Sequence, residues 1–195
     1  MDLTPQLLLA AYCQGVFPMA DKDGEIYWYD PHPRAIIPLD GFYMSRSLVR
    51  TVQKRPFTIR ANYDFEGVIR ACAAPGRGPT WISEKIMAAY IELHQLGFAH
   101  SVEAWQNGRL VGGLYGVAVG GLFAGESMFH HERDASKVAL VHLVQTLRQG
   151  GFHLLDIQFM TDHLAQFGAI EIPRAVYKSR LRRALQTEAR FEVAV

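Results

Sequence analysis

The sequence predicts an α+β fold in which helices and short strands come first, followed by a strand meander, a long helix and a further strand. Three features of the 195-residue chain predict it. Before about residue 98, most segments have apolar residues at helical spacing and begin at a residue that can cap a helix. Apolar segments typical of strands, separated by glycines, follow to residue 129. A long apolar segment with helical spacing then precedes the last long strand. The hydrophobic fraction of 49% is that of an ordinary globular protein, so a sizeable core is available.

The N-terminal elements are bounded by capping residues and turns. Thr4 and Pro5 suit the start of a first helix, because threonine caps a helix N-terminus and proline is favoured at the first helical position. Ser45 and Ser83 are placed to cap two further helices. The predicted helices cover residues 4–15, 45–55, 63–74 and 83–97, the predicted strands residues 25–30, 34–39 and 57–61, and a Gly/Pro loop residues 75–79.

A strand meander opens the second half of the chain. Asn107-Gly108 is a strong hairpin signal, because a two-residue turn needs positive φ angles that these residues tolerate. Asp134 or Ser136 starts the long helix that follows. The predicted strands cover residues 101–106, 109–119, 122–129 and 153–159, and the predicted helices residues 134–150, 162–166 and 174–186. This order of elements is that of the acyltransferase fold of N-acetyltransferases, although fold analogy alone does not give function.

Charge is unevenly distributed along the chain. The net charge of +1 argues against a general nucleic-acid binder, but residues 34–77 carry +5, residues 1–33 carry −4 and the remainder is balanced. Arg46, Arg50 and Lys54 follow at four-residue steps and share one helix face. A basic segment inside a neutral chain indicates a local contact with a polyanion, while a solvated helix face is the commoner origin of a single charge run.

Several classes of protein are disfavoured. The N-terminus lacks the pattern of a signal peptide, and the apolar stretch of residues 110–125 is broken by glycines, so we expect a soluble cytoplasmic protein. Cys13 and Cys72 have no metal-ligand spacing and form no disulfide framework. No Gly-rich phosphate loop, nucleophile elbow or zinc motif is present.

Acidic and amide side chains on two predicted strands are the strongest chemical candidates. In a strand, Asp156 and Gln158 point to the same side, where a carboxylate beside an amide can handle a proton and position a substrate. Periodicity alone slightly favours a pair of solvated residues instead. Glu126 lies in an apolar strand, so it needs a partner, which is a structural salt bridge or a cationic amine in a cleft. Trp28 and Trp81 can stack on bases, although a single tryptophan is more often part of the core.

Collinear stretches across nearly the whole chain resemble a known family. They include "AYCQGVFPMA", "WYDPHPRAIIPL", "TWISEKI", "LVGGLYGVAVGGLFAGESMF" and "LDIQFMTDHLAQFGAIEIPR". In these the chain is similar to the bacterial leucyl/phenylalanyl-tRNA–protein transferases. The resemblance implies a small N-terminal α/β domain, which we place over residues 1–62, and a C-terminal acetyltransferase-like (GNAT-like) domain over residues 63–195. It also implies transfer of Leu or Phe, and less readily Met, from tRNA to proteins that begin with Arg or Lys, which marks them for the N-degron pathway.

The resemblance also implies roles for particular residues, with no metal, nucleotide or coenzyme and with the protein acting as a monomer. The implied catalytic residues are Asp156, Gln158 and Glu126. The implied lining of the amino-acid pocket is Leu114, Phe123, Gly125, Ser127 and Leu155. The implied tRNA contacts are Trp28 and Trp81 at the terminal adenosine and Arg46, Lys54 and Arg55 at the acceptor stem.

The reaction is the aminolysis of an activated ester by a neutral α-amine. We expect Gln158 to orient the amine, Asp156 to polarise it or accept its proton, and Glu126 to hold the substrate amino groups, with a tRNA ribose hydroxyl as an alternative relay. A coenzyme-A-dependent acetyltransferase is disfavoured, because its pyrophosphate loop has only a poor counterpart in residues 109–114, within a predicted hairpin. A non-catalytic RNA-binding module explains the basic helix but not the acid–amide pair.

Overall fold

The computed structural model describes residues 3–74 and 80–192. Its main feature is one large sheet with helices packed on both faces. The predicted loop at residues 75–79 lies outside these ranges. The helices are α1 (Pro5–Cys13), α2 (Arg46–Lys54), α3 (Phe65–Ala73), α4 (Glu84–Gln95), α5 (Ala135–Gln149), α6 (Asp162–Ala165) and α7 (Arg174–Leu185). The strands are β1 (Phe17–Ala20), β2 (Ile26–Tyr29), β3 (Arg34–Ile37), β4 (Thr58–Ala61), β5 (Ala99–Gln106), β6 (Arg109–Val119), β7 (Leu122–His130), β8 (Leu154–Gln158) and β9 (Ile170–Ile172). The α+β prediction is confirmed.

The predicted helix starts agree with the observed caps. The side chains of Thr4, Ser45 and Ser83 each accept a hydrogen bond from a backbone N–H of the first turn, as capping residues do. Of the two predicted starts of α5, Asp134 occupies the N-cap position and the helix begins at Ala135. Asp134 has a φ angle of 64° and its side chain makes no capping hydrogen bond.

Two short strands were missed by the sequence analysis. β1 contains Pro18 and pairs only with β2, in a separate two-stranded sheet. β9 has three residues and pairs only with β3 at the end of the large sheet. Neither is long enough to show the alternation of apolar and polar residues on which strand prediction depends.

The large sheet has the strand order β4-β5-β6-β7-β8-β3-β9. The meander β5–β6–β7 is antiparallel, α5 crosses one face, and β8 returns parallel to β7. This is the predicted order of strands and helix. β3 and β4, which precede residue 62, are strands of this same sheet, so it extends across the proposed boundary between residues 62 and 63, and that boundary stays a prediction.

Separate apolar cores form on the two faces of the sheet. On one face, α1, α3 and α4 contribute buried residues that include Leu8, Val68 and Tyr90. On the other face, α5 packs against the strands and α2 packs on α5 through Leu48. In the described parts of the chain, no helix is both long enough and apolar enough to cross a membrane.

The sheet opens between β7 and β8, and two irregularities flank the opening. The last β7–β8 pair is Ala124 with Asp156, although β7 continues to His130. The register between β6 and β7 skips Glu126, and the register between β3 and β8 skips Ile157. Such β-bulges redirect side chains and are frequent beside active sites. The strands therefore leave a wedge-shaped gap with an acidic residue at its edge.

Candidate active site

An apolar cavity of about 110 Å³ fills the gap between β7 and β8. Of the residues predicted to line an amino-acid pocket, Leu114, Gly125, Ser127 and Leu155 do line this cavity. The other lining residues are Tyr115, Glu126, Met128, Leu140, Leu143, Ile157, Gln158 and Leu164. An apolar protein cavity of about 150 Å³ can hold benzene, so a cavity of this size and character suits one apolar side chain.

Phe123 does not line the cavity, contrary to expectation. Its side chain is fully buried, and its ring lies 5.5 Å from that of Phe191 and 6.4 Å from that of Phe152, centroid to centroid. Phe123 pairs with Leu155 where β7 and β8 are still hydrogen-bonded, one residue before the last pair of the ladder. Its partner Leu155 lines the cavity, whereas the ring of Phe123 packs with those of Phe152 and Phe191 in the core.

Asp156 is held by hydrogen bonds on both carboxylate oxygens. Oδ1 accepts from Nε of Arg34 at 2.9 Å and from the backbone N–H of Gln158 at 3.0 Å. Oδ2 accepts from a terminal nitrogen of Arg34 at 2.6 Å and from the hydroxyl of Tyr177 at 2.8 Å. Arg34 and Asp156 are each only 1% exposed, and they form a bidentate ion pair of the kind that satisfies a buried carboxylate.

Gln158 reaches the cavity because the backbone turns sharply at this residue. Its φ angle is 59°, in the left-handed region that residues other than glycine rarely adopt. Simple alternation places Gln158 with Asp156 and opposite Leu155 and Ile157. In the structure, Leu155, Ile157 and Gln158 all line the cavity and Asp156 does not. The prediction that Asp156 and Gln158 share one face is therefore wrong. A rare backbone conformation of this kind is typical of functional sites.

Glu126 lies at the bulge in β7, with its side chain half-buried beside the cavity. Oε1 accepts from the hydroxyl of Tyr12 at 2.7 Å and from Nε2 of Gln158 at 3.4 Å, and Oε2 accepts from the hydroxyl of Tyr90 at 3.4 Å. The two tyrosine hydroxyls also lie within hydrogen-bond distance of each other. Because they carry only two protons between them, they cannot donate in all three of these contacts at once while Glu126 is ionised. Burial raises the pKa of Glu126 from 4.5 to about 8, against the lowering effect of the hydrogen bond from Tyr12.

The four residues whose side chains donate hydrogen bonds to Asp156 or Glu126, besides Gln158, were not identified from the sequence: Arg34, Tyr12, Tyr90 and Tyr177. Arg34 was counted only as part of the basic segment, but it begins an apolar strand and is fully buried. A charge in such a strand is a signal for a buried partner. The tyrosines gave no comparable signal. Among the residues that the structure describes, no group of three or more His, Cys, Asp or Glu side chains is arranged to hold a metal ion.

The two tryptophans that are predicted to contact tRNA lie in different surroundings. Trp28 is 38% exposed and lines a second cavity, of about 290 Å³, together with Leu3, Leu7 and Lys85. Trp81 is half-buried against the core formed by α1, α3 and α4. Its backbone carbonyl accepts a hydrogen bond of 3.1 Å from the N–H of Ala20 on β1. Trp28 therefore offers an accessible ring, while Trp81 is partly a core residue.

The basic residues predicted to meet tRNA are exposed on and beside α2. Arg46 begins the helix, Lys54 ends it and Arg55 follows in the left-handed conformation. Within residues 3–74 and 80–192, none of the three forms an ion pair with Asp or Glu. By contrast, Arg34 and Arg70 in the same basic segment are paired with Asp156 and Glu66. The positive charge that remains uncompensated in this segment is thus concentrated at α2.

Comparisons with known proteins agree over nearly the whole chain. The sequence model of the leucyl/phenylalanyl-tRNA protein transferase matches residues 36–182, and the model of that protein's N-terminal domain matches residues 1–32. A leucyl/phenylalanyl-tRNA–protein transferase of Herpetosiphon aurantiacus is 60% identical, over 97% of this chain and 98% of its own length. Proteins of the same name from Rhodopseudomonas palustris and Gloeobacter violaceus are 56% and 54% identical, over 98% of this chain and 87% and 98% of their own lengths.

Among solved structures, L-PGS from Bacillus licheniformis is similar with a TM-score of 0.45 and 15% sequence identity, over 82% of this chain and 61% of that one.

The family models together cover almost every element from α1 to α7, including the strands that form the cavity and the residues around Asp156. The chain belongs to the leucyl/phenylalanyl-tRNA–protein transferase family.

Proposed function

We propose that this aminoacyltransferase moves Leu or Phe, and less readily Met, from aminoacyl-tRNA to the N-terminal Arg or Lys of acceptor proteins, and so marks them for N-degron degradation. It acts as a monomer in the cytoplasm, where charged tRNA is present. One observation carries the choice of donor: the cavity between β7 and β8 is apolar, accommodates a single side chain and is bordered by the polar groups of Glu126 and Gln158. An apolar pocket separates Leu, Phe and Met only weakly from one another.

The contacts assign different tasks to the polar residues. Gln158 lines the cavity and can orient the attacking amine through its side-chain carbonyl. Asp156 does not line the cavity, and each of its oxygens already accepts two hydrogen bonds. Its proposed role is therefore to fix the unusual backbone of Gln158 through the bond to the Gln158 N–H. This replaces the expected role of Asp156 as a proton acceptor.

A direct assay tests the donor and the acceptor together. Purified protein is incubated with labelled Leu-tRNA, Phe-tRNA, Met-tRNA or Val-tRNA and a peptide that begins with Arg. The same peptide with an acetylated N-terminus is the control. We expect transfer of Leu and Phe, weaker transfer of Met, little transfer of Val, and none to the acetylated peptide. Binding of tRNA without transfer to any peptide contradicts the proposal and supports an RNA-binding module.

Acetyl-coenzyme A is a second donor to include in that assay. The residues nearest to a pyrophosphate-binding sequence, 109–114, lie within β6 in the middle of the sheet. They do not form a loop that leads into a helix N-terminus, where a pyrophosphate would bind. Acetyl transfer to the peptide is therefore not expected.

Charge reversal at α2 tests where the tRNA binds. Changing both Arg46 and Lys54 to Glu should weaken tRNA binding and reduce its dependence on salt, because each lost phosphate contact lowers the slope of log K against log salt by about 0.7–0.9. Binding of Phe-tRNA to the variant is measured between low and physiological salt. Arg70→Glu is the matched control, because Arg70 lies in the same segment but is paired with Glu66. An equal loss in the control points to net charge rather than to a site at α2.

Alanine substitutions test the proposed stacking on the terminal adenosine. Trp28→Ala and Trp81→Ala should each weaken binding of aminoacyl-tRNA by about 1–3 kcal/mol, the usual contribution of an aromatic ring under a base. Tyr27→Ala serves as the control, since Tyr27 neighbours Trp28 on β2 and is 51% exposed. Circular dichroism separates loss of binding from loss of folding, which is the greater concern for the half-buried Trp81. Normal binding by a folded Trp28→Ala protein removes Trp28 from the site.

A further inference from the structure

The two carboxyl groups near the cavity, the buried Asp156 and the half-buried Glu126, differ in how many hydrogen bonds the protein donates to them. Asp156 accepts four hydrogen bonds of 2.6–3.0 Å and carries a paired arginine. A carboxylate offers about four lone-pair positions, so none of those on Asp156 remains for a substrate. A proton from the attacking amine therefore has no place to bind on Asp156 without displacement of Arg34 or Tyr177.

Glu126 has the opposite arrangement. It accepts one short hydrogen bond, from Tyr12, and two bonds of 3.4 Å, from Tyr90 and Gln158. Oε2 has only the long contact with Tyr90, which leaves this oxygen open to a further donor. Glu126 also lines the cavity directly, beside the Gln158 side chain that is proposed to orient the amine. The β7 bulge removes Glu126 from the regular ladder and so accounts for this placement.

We propose that Glu126 is the catalytic base that takes a proton from the acceptor's α-amine as the amine attacks the ester, with Tyr12 and Tyr90 as the positioning residues that hold its carboxylate. This inference rests on the proposed function and gives Glu126 a chemical role in place of a holding role. Tyr12 comes from α1, Tyr90 from α4 and Glu126 from β7, so three separate elements build the group.

The proton steps balance as follows. The α-ammonium first loses one proton to solvent. The neutral amine forms the C–N bond to the ester carbonyl carbon while one of its N–H bonds breaks and an O–H bond forms on Glu126. The C–O bond to the tRNA ribose then breaks, the departing ribose oxygen takes the proton from Glu126, and the remaining amine proton stays on the new amide.

The charges that face Glu126 set the pH at which it can act. These groups are Tyr12 on α1, Tyr90 on α4, Tyr115 on β6, Asp156 on β8 and Arg34 on β3. Burial is the largest influence and raises the pKa of Glu126 to about 8, with Asp156 adding to the rise and Arg34 opposing it. An α-amino group ordinarily has a pKa of about 7.7–8.0, so the two groups reach their reactive forms over the same pH range.

The sign of the pH dependence follows from the reacting forms. Glu126 must be ionised and the amine must be neutral, and a rising pH favours both forms. The single-turnover rate of the wild-type protein at saturating tRNA and peptide should therefore rise from pH 6.5 and level off above about pH 8. In Glu126→Gln only the amine titrates, so the rate should rise less steeply with pH.

The experiment compares single-turnover transfer to an Arg-initiated peptide by the wild-type and Glu126→Gln proteins between pH 6.5 and 9, corrected for spontaneous ester hydrolysis. At pH 9, where most of Glu126 is ionised, we expect the variant to be slower by about 10²- to 10⁴-fold. The ratio of the wild-type rate to the variant rate should increase by about tenfold between pH 7 and pH 9, because the ionised fraction of Glu126 rises by about that factor. The loss should be in the maximal rate. A loss confined to KM, or a ratio independent of pH, overturns the proposal in favour of a holding role.

Further variants separate this result from a folding defect and from failure of the proposed function. Tyr12→Phe removes a hydrogen bond that lowers the pKa of Glu126, so the acid limb of its profile should move to higher pH. Glu92→Gln, an exposed residue on α4, should leave the profile unchanged. Glu126→Gln should melt no lower than the wild-type protein at pH 9, since it removes a charge that burial disfavours. If the wild-type protein itself transfers no amino acid, the proposed function fails, whereas an unshifted Tyr12→Phe profile contradicts only the role of Tyr12.

Discussion

Asp156→Asn is expected to lower the free energy of unfolding by about 3–5 kcal/mol, because it leaves the guanidinium of Arg34 buried without its counter-charge. Arg34 also donates to the carbonyl of Gly15 and lies against the rings of Phe17 and Tyr177, so it cannot easily move into solvent. Transfer activity should fall by about 10²-fold even in the folded fraction, since the backbone of Gln158 loses its anchor and small displacements of a positioning group are costly.

Denaturant titration and single-turnover transfer measure these two losses separately. Arg34→Met and the double variant complete a mutant cycle, in which the double variant should be less destabilised than the sum of the single variants, because no unpaired charge remains. Tyr177→Phe is the matched control, since it removes one hydrogen bond to Asp156 and no charge. An Asp156→Asn protein with unchanged stability would show that the ion pair does not support the fold. Full activity in that protein would remove Asp156 from the site.

Gly125→Val is expected to reduce transfer of Phe by about 10- to 200-fold, which corresponds to about 1–3 kcal/mol for a misfit of methylene size in an apolar pocket. A Cβ atom at Gly125 would meet only the carbonyl oxygen of Asp156 within 4 Å, at an ordinary contact distance of 3.6 Å. The backbone therefore accepts a side chain here, and the added methyl groups occupy the cavity. Transfer of Leu should suffer less than transfer of Phe, because its side chain is smaller.

Competition between Phe-tRNA and Leu-tRNA in one reaction measures the change in preference directly. Gly125→Ala provides a graded step and should lie between the wild-type and Val proteins. The thermal midpoint should change little in both variants, which distinguishes a filled pocket from a disturbed sheet. Undiminished Phe transfer by a folded Gly125→Val protein would contradict the assignment of this cavity to the aminoacyl side chain.

Most elements of the fold could be predicted from local signals. Ser45, Ser83 and the Asn107-Gly108 turn each identify a boundary through chemistry that acts over a few residues. β1 and β9 could not be predicted, because their strand character comes from the partners to which they pair. The position of β3 between β8 and β9 depends on contacts over more than a hundred residues and has no local signature.

The candidate site could be predicted only in part, for the same physical reason. Glu126 was identified as a carboxyl group in an apolar strand, and burial is what that pattern indicates. Its partner Tyr12 is 114 residues away, and Arg34 is 122 residues from Asp156, so neither pairing has a spacing to detect. The turn of the backbone at Gln158 could not be predicted from the sequence either, because nothing in a short apolar strand indicates a φ angle of 59° at its last residue.

The hydrogen bonds that Arg34 donates to Asp156, Gly15 and Tyr177 have a consequence for biosynthesis. These residues come from the first and the last third of the sequence, so the site has a very high contact order. On a translating ribosome, the N-terminal strands emerge long before β8 and α7 are made, and β3 has no neighbours in the large sheet until then. The meander and its helices can fold first, whereas the catalytic centre closes only when synthesis is nearly complete. A nascent chain of this enzyme therefore remains inactive towards charged tRNA until β3 can insert beside β8.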